Sequence, residues 1–243
     1  MIKGGQRIAT ATGVMLADPL CLGNAQQGAT EALFDRDFWA ARGALAAVSG
    51  GRGSAWFVGS PAHPWVLRHY RRGGFIAQLS EDRYGWCGED RVRSFAEWRL
   101  LHYLTERALS VPKPVAAFYR REALTYRCDL ITERILQAQS LSTALGAGAL
   151  AQPLWHAVGA AVARLHLHGV DHADLNSHNI LIDTAGKVSV IDFDRGQLRT
   201  AGAWTSRNLA RLKRSLQKIA AAMPPDRFTP ASWEELLAGY RAA

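Results

Sequence analysis

The chain has 243 residues, 48% of them hydrophobic, which is enough to bury a full core. Lys and Arg number 29 against 21 Asp and Glu, a formal net charge of +8 that favours an anionic partner such as acidic lipid, a phosphorylated substrate or nucleic acid. Cys21, Cys87 and Cys128 are too widely spaced for a disulfide framework or a zinc pair, which makes a reduced cytosolic compartment the default, and no stretch is apolar enough to span a bilayer.

In chain order, Lys3 and Arg7 precede a mild apolar run over residues 8–17. Thr10, Thr12 and Gly13 dilute it and no good cleavage site follows, so it makes a poor signal peptide. Thr30 is placed to cap a short helix over residues 31–42, with Leu33, Phe34, Phe38 and Trp39 on one face. Residues 46–48 and 55–58 read as strands around Ser49-Gly50-Gly51-Arg52-Gly53-Ser54. A turn of this kind lets backbone N–H groups approach phosphate oxygens, although a plain hairpin turn has the same composition. Residues 65–68 form the next strand, ending on Arg68, followed by Arg71-Arg72-Gly73-Gly74 and a strand over 75–79. Residues 94–107 carry a helical stripe of Phe95, Trp98, Leu101, His102 and Leu104, with Glu97 off that stripe. The prolines at 112 and 114 force an extended turn, residues 119–126 suggest a hairpin, and 129–133 are expected to leave the sheet.

Helices are expected over 140–145 and 154–167. His166 and His168 diverge on the second of these and join no carboxylate or cysteine, so they do not form a metal site with His172. Next comes H-A-D-L-N-S-H-N-I-L-I-D-T-A-G-K-V-S-V-I-D-F-D-R, residues 172–195. Its polar loop leads into a strand over 180–182, a turn at Ala185-Gly186 and a strand over 188–191, and such a hairpin returns Asp192 to the side of Asn179. Phosphoryl transfer needs a carboxylate to take or orient the acceptor proton, here Asp174. It also needs an amide and a second carboxylate to hold magnesium, here Asn179 and Asp192.

The loop resembles the protein-kinase catalytic loop H-R-D-L-x-x-x-N position by position, and Asp192-Phe193 is similar to the start of D-F-G. Asn176 stands where a protein kinase carries a loop Lys or Ala, which counts against a protein substrate, and Asp194 replaces the glycine; neither departure removes a magnesium ligand. The resemblance implies that Gly51, Arg52, Gly53 and Ser54 cover the phosphates and that Arg68 replaces the usual strand lysine with Glu97 as its partner. It also implies that residues 129–133, ending at Glu133, form the interlobe hinge whose backbone reads adenine, with a lobe boundary near Ile135. Arg71, Arg72 and Arg93 border the expected phosphate cleft.

G-R-G-S-A-W-F-V (51–58), V-L-R-H-Y-R-R-G-G (66–74), P-K-P-V-A-A (112–117), the 172–183 loop, I-D-F-D-R-G (191–196) and R-N-L-A-R-L-K-R-S-L-Q-K (207–218) together resemble the 3-deoxy-D-manno-octulosonic acid (Kdo) kinases of the lipopolysaccharide kinase family. The resemblance implies an α+β, protein-kinase-like two-lobed fold. A small antiparallel β-rich lobe with one key helix spans residues 1–135, with an N-terminal extension to about residue 30, and a shortened, mainly helical lobe spans 136–243. It implies transfer of the ATP γ-phosphoryl group, with Mg2+, to the 4-hydroxyl of Kdo on lipid A or its precursor. The enzyme would be a monomer that binds no nucleic acid, cytoplasmic and peripheral on the inner face of the bacterial inner membrane. A heptose, aminoglycoside or other sugar kinase of the same fold, and a non-catalytic ATP-binding pseudokinase, remain as alternatives. After Gly196 there is no A-P-E, and residues 204–219 read as one helix with Leu209, Leu212, Leu216 and Ile219 on its apolar stripe. Arg207, Arg211, Lys213, Arg214 and Lys218 fill its other positions, either as a solvated basic face or as a surface for anionic lipid.

Overall fold

A computed structural model of the chain describes residues 5–22, 31–48, 54–71 and 82–243. The expectations for Thr30, Gly51, Arg52, Gly53, Arg72 and the strand over 75–79 lie outside the described residues. The fold is mixed α+β, and the chain divides into two compact units. Met1–Tyr103 with Lys113–Arg134 make the first, and Leu104–Pro112 with Ile135–Ala243 the second.

The first unit is built on one antiparallel sheet. Its strands are β1 (Gln6–Ala9), β2 (Val14–Ala17), β3 (Leu45–Ala47), β4 (Ala55–Ser60), β5 (His63–His69), β6 (Tyr84–Gly85), β7 (Pro114–Glu122) and β8 (Thr125–Glu133). Seven of them run in the order β1-β2-β7-β8-β5-β4-β3, and β6 pairs with β8 off that path. The mild apolar run near the N-terminus is therefore a hairpin joined to β7, with Met15 opposite Phe118 and both buried. The expected helix over 31–42 is shorter. A 3-10 turn (Glu31–Phe34) leads to Asp35, whose carboxylate accepts the Asp37 N–H at 2.8 Å and caps α2 (Arg36–Ala40). The preceding turn at Pro19–Leu22 is α1.

Strand β7 is buried on both faces from Pro114 to Tyr119, because successive side chains point to opposite sides and each side is covered there. Phe118 stacks on Phe34 at 5.1 Å in a cluster with Trp39, Trp65 and Leu67. Tyr119 meets Phe95 of α3 (Arg93–Thr105) edge-on at 5.2 Å. Residues 129–133, expected to leave the sheet, stay in it. β5 on one side and β7 on the other take up the backbone groups of β8 as far as Glu133, which pairs with Trp65.

The second unit holds β9 (Ala138–Ser140), α4 (Leu141–Ala147), α5 (Gln152–Leu167), β10 (Val170–Asp171), β11 (Ile180–Asp183), β12 (Val188–Val190), β13 (Gln197–Leu198), α6 (Trp204–Ala220) and α7 (Pro230–Arg241). The hairpin β11-β12 forms in the expected register, with Gly186 at a φ of 79° in its turn. β9 adds a third strand that was not foreseen. Helix α7 was not foreseen either, although Thr229 and Ser232 close a capping box on it and Pro230 sits in its first turn.

Helices α5 and α7 cross at their glycines. A Cβ on Gly159 would stand 1.9 Å from the Leu236 carbonyl oxygen, and one on Gly239 would stand 2.0 Å from that of His156. Gly159→Ala is therefore expected to destabilise the fold by about 2 kcal/mol even after its gain in helix propensity, because backbone has to move. Gly146→Ala on α4 would find its nearest neighbour, the flexible end of Met223, at 3.8 Å and serves as the control. Denaturant unfolding of the two variants checks this. Equal midpoints would show that the helix crossing tolerates the methyl group.

Candidate active site

Within the second unit, the peptide groups of the loop after β10 are tied down by its own side chains. His172 is 1% exposed. Its Nδ1 accepts the Asp174 N–H at 3.3 Å and its Nε2 lies 2.9 Å from the Ile191 carbonyl oxygen, so the ring is neutral with its proton on Nε2. Burial holds its pKa below the ordinary histidine value, against the opposing hydrogen bond to Ile191. The Asp174 carbonyl accepts from Nδ2 of both Asn176, at 2.9 Å, and Asn179, at 3.0 Å. Asn176 Oδ1 in turn accepts the N–H groups of His178 and Asn179. The backbone of Asp174 is thus held at its N–H and its C=O, while its carboxylate projects with 59% of the side chain exposed.

The hairpin then does what its spacing predicts. Ile180 pairs with Val190, and the Ile191 N–H donates to the Asn179 carbonyl at 2.9 Å, so Asp192 follows one residue beyond Asn179's partner. Asp192 has a φ of 64°, in the left-handed region that Asp tolerates better than most residues. Phe193 is buried beneath it, 4.7 Å from the His172 ring centroid. Because Asn179 Nδ2 is committed to Asp174, its amide oxygen is oriented the other way.

Helix α6 is bonded to the same loop. Asn208 Oδ1 accepts the His172 N–H at 3.0 Å while its Nδ2 donates to Asp171 Oδ1 at 2.8 Å. One turn further on, Arg211 Nη1 reaches Asp174 Oδ1 at 3.3 Å, and a turn beyond that Ser215 Oγ accepts the Ser177 N–H at 3.1 Å. The buried stripe is Trp204, Asn208, Leu212 and Leu216, whereas Leu209 and Ile219, expected on it, are half-buried. The basic residues divide as well. Lys213 lies over Trp233 at 5.2 Å, Arg211 turns to the loop, and Arg207, Arg214 and Lys218 are exposed.

In the first unit, Arg68 and Glu97 meet as expected. Glu97 is 3% exposed, and its Oε2 receives both Arg68 Nη2 and the hydroxyl of Tyr70, which itself accepts from Arg68 Nη2 at 2.8 Å. Alternation along β5 turns His69 to the other face, where its Nδ1 lies 2.7 Å from Asp129 Oδ1. Arg93 covers the Tyr84 ring at 4.7 Å and the Tyr70 ring at 5.7 Å, and Arg71 is exposed. Ser54 is half-buried and its carbonyl accepts the His69 N–H at 2.8 Å. The Glu133 N–H is engaged by the Lys113 carbonyl at 2.8 Å, and its carboxylate is 3.7 Å from Lys113 Nζ.

Sequence reasoning passed over Tyr70, Asn208, Arg211 as a loop contact, and Ser215. The signal for Asn208 was present, since it is the one polar residue in a run of i, i+4 positions from Trp204 to Leu216. For Tyr70, the i+2 spacing from Arg68 on one strand face was the corresponding clue.

The description "Lipopolysaccharide kinase (Kdo/WaaP) family" matches residues 36–240. Relatives that carry the name 3-deoxy-D-manno-octulosonic acid kinase include the following three. The one from Stenotrophomonas maltophilia (strain K279a) is 49% identical over 209 residues, 85% of this chain and 81% of that protein. That from Xylella fastidiosa (strain 9a5c) is 50% identical over 188 residues, 77% of this chain and 75% of the relative. That from Xanthomonas axonopodis pv. citri (strain 306) is 50% identical over 192 residues, covering 79% and 76%. Since the matched stretch takes in the Arg68–Glu97 pair, the Asp174 loop and both terminal helices, the chain belongs to the lipopolysaccharide kinase (Kdo/WaaP) family.

Proposed function

We propose that this protein transfers the γ-phosphoryl group of ATP to the 4-hydroxyl of a Kdo residue on lipid A or its precursor. The observation that carries the reading is the fixed backbone of Asp174 with its projecting carboxylate, in a chain about half identical to proteins named Kdo kinase. Asp174 orients the acceptor hydroxyl and takes its proton as the bond to phosphorus forms. The first compact unit is read as the nucleotide lobe, where Arg68, braced by Glu97 and Tyr70, presents a guanidinium fork to phosphate oxygens. The loop at Gly51, Arg52, Gly53 and Ser54 would cover those phosphates, and the chain near Glu133 would meet the adenine.

The donors suit magnesium, which takes hard oxygen ligands from one or two carboxylates and from substrate phosphates. Asn179 is oriented by its Nδ2 bond so that it offers an amide oxygen, and Asp192, which follows the residue bonded to the Asn179 backbone, supplies a half-buried carboxylate. When bound there, the ion neutralises charge on the transferring phosphates.

Among the described residues no helix is long and apolar enough to cross a membrane. We read Arg207, Arg214 and Lys218, exposed on one side of α6, as the contact with an anionic bilayer surface. The test offers Kdo-lipid A, a heptosylated acceptor and a soluble aminoglycoside with ATP and Mg2+, on anionic and neutral vesicles. The product should carry phosphate on the Kdo 4-hydroxyl, and the protein should sediment with anionic vesicles in a salt-sensitive way. Phosphate on heptose or aminoglycoside alone would replace the substrate assignment, and ATP binding without turnover would make the protein a pseudokinase.

A further inference from the structure

The contact between Arg211 and Asp174 is not explained by stability. Both side chains are about half exposed, 48% and 59%, and an ion pair of that kind contributes little to folding. Its position is nevertheless closely determined. Asn208 and Ser215, one turn to either side, are bonded to the backbone of the catalytic loop, and Leu212 and Leu216 are wholly buried. The helix therefore cannot slide or rotate without breaking both anchors, and Arg211 is delivered to the one projecting carboxylate of the loop.

Resting on the proposed Kdo kinase reaction, we infer that Arg211 is the residue that recognises the acceptor as a sugar acid, by binding the carboxylate of the octulosonic acid. An acceptor whose hydroxyl lies against Asp174 brings its own carboxylate close to a second one. Two like charges within a few ångströms at a protein surface repel each other unless a cation stands between them. Arg211 already stands beside the first of the pair. Its Nη1 faces Asp174, and among the described residues its Nη2 and Nε make no other hydrogen bond, which leaves the fork that matches a carboxylate. A neutral sugar offers this guanidinium only hydroxyl and ring oxygens, so it gains less from the residue than an acceptor with the acid group does.

The test pairs the enzyme with two acceptors, Kdo-lipid A and the same molecule with the Kdo carboxylate converted to its carboxamide. Wild-type protein is expected to prefer the acid by on the order of 100-fold in kcat/KM, mainly through KM. Arg211→Gln should lose that preference, with an acid-to-amide ratio within about threefold of unity, while KM for ATP stays put. Arg211→Lys, which keeps the charge without the fork, should recover roughly a tenth of the preference. If Arg211→Gln and wild type show the same acid-to-amide ratio, the inference is overturned, whatever the absolute rates, because the residue then acts only on Asp174 or on the fold. Failure of wild-type protein to phosphorylate Kdo at all is a different result, and it removes the substrate assignment itself.

Discussion

Asp174→Asn is expected to lower kcat by roughly two to four orders of magnitude while leaving ATP affinity nearly unchanged. The substitution is close to isosteric, and the three hydrogen bonds that fix this position involve its backbone N–H and carbonyl rather than its side chain. The loop should keep its shape, so the loss reports the carboxylate. Single-turnover phosphorylation with saturating ATP, alongside a nucleotide titration, measures both quantities. Near-normal turnover would remove Asp174 from the reaction.

The other large effect is expected at Asp192, where Asp192→Asn should reduce kcat/KM by about three orders of magnitude and abolish the magnesium dependence of nucleotide binding. Asn is the informative replacement. The position has a φ of 64°, which Asn adopts about as readily as Asp, so the backbone is served and only the anionic oxygen is lost. Replacement by a β-branched residue would confuse the two effects. Tight, magnesium-dependent ATP binding by the Asn variant would show that the ion is held elsewhere.

The loop over residues 172–179 was legible in the sequence because its bonds are local. His172, Asn176 and Asn179 serve peptide groups only a few positions away, so residue type and spacing nearly determine the shape. The Arg68–Glu97 pair was legible only through the layout implied by the kinase motif, since 29 positions separate them. What stayed hidden depended on partners distant in the chain. Residues 8–17 look like a weak apolar segment until β7 is beside them, and 129–133 read as an exit from the sheet because nothing in that stretch announces that β5 continues along it. The basic helix was read by charge alone. Which of its cations turns inward depends on Asp174, 37 positions earlier, and on Asn208, which interrupts the apolar stripe to cap a backbone group of the loop.

That anchoring has a kinetic consequence. A loop shaped by its own asparagines and by a helix of the same unit is ordered when the unit folds. The ordering entropy is met during folding and not in each catalytic cycle, so the loop needs no covalent modification or partner to assemble it. The same dependence sets a thermal weakness: opening α6 releases the His172 and Ser177 peptide groups together, so fraying of this one helix is expected to loosen the loop that carries Asp174.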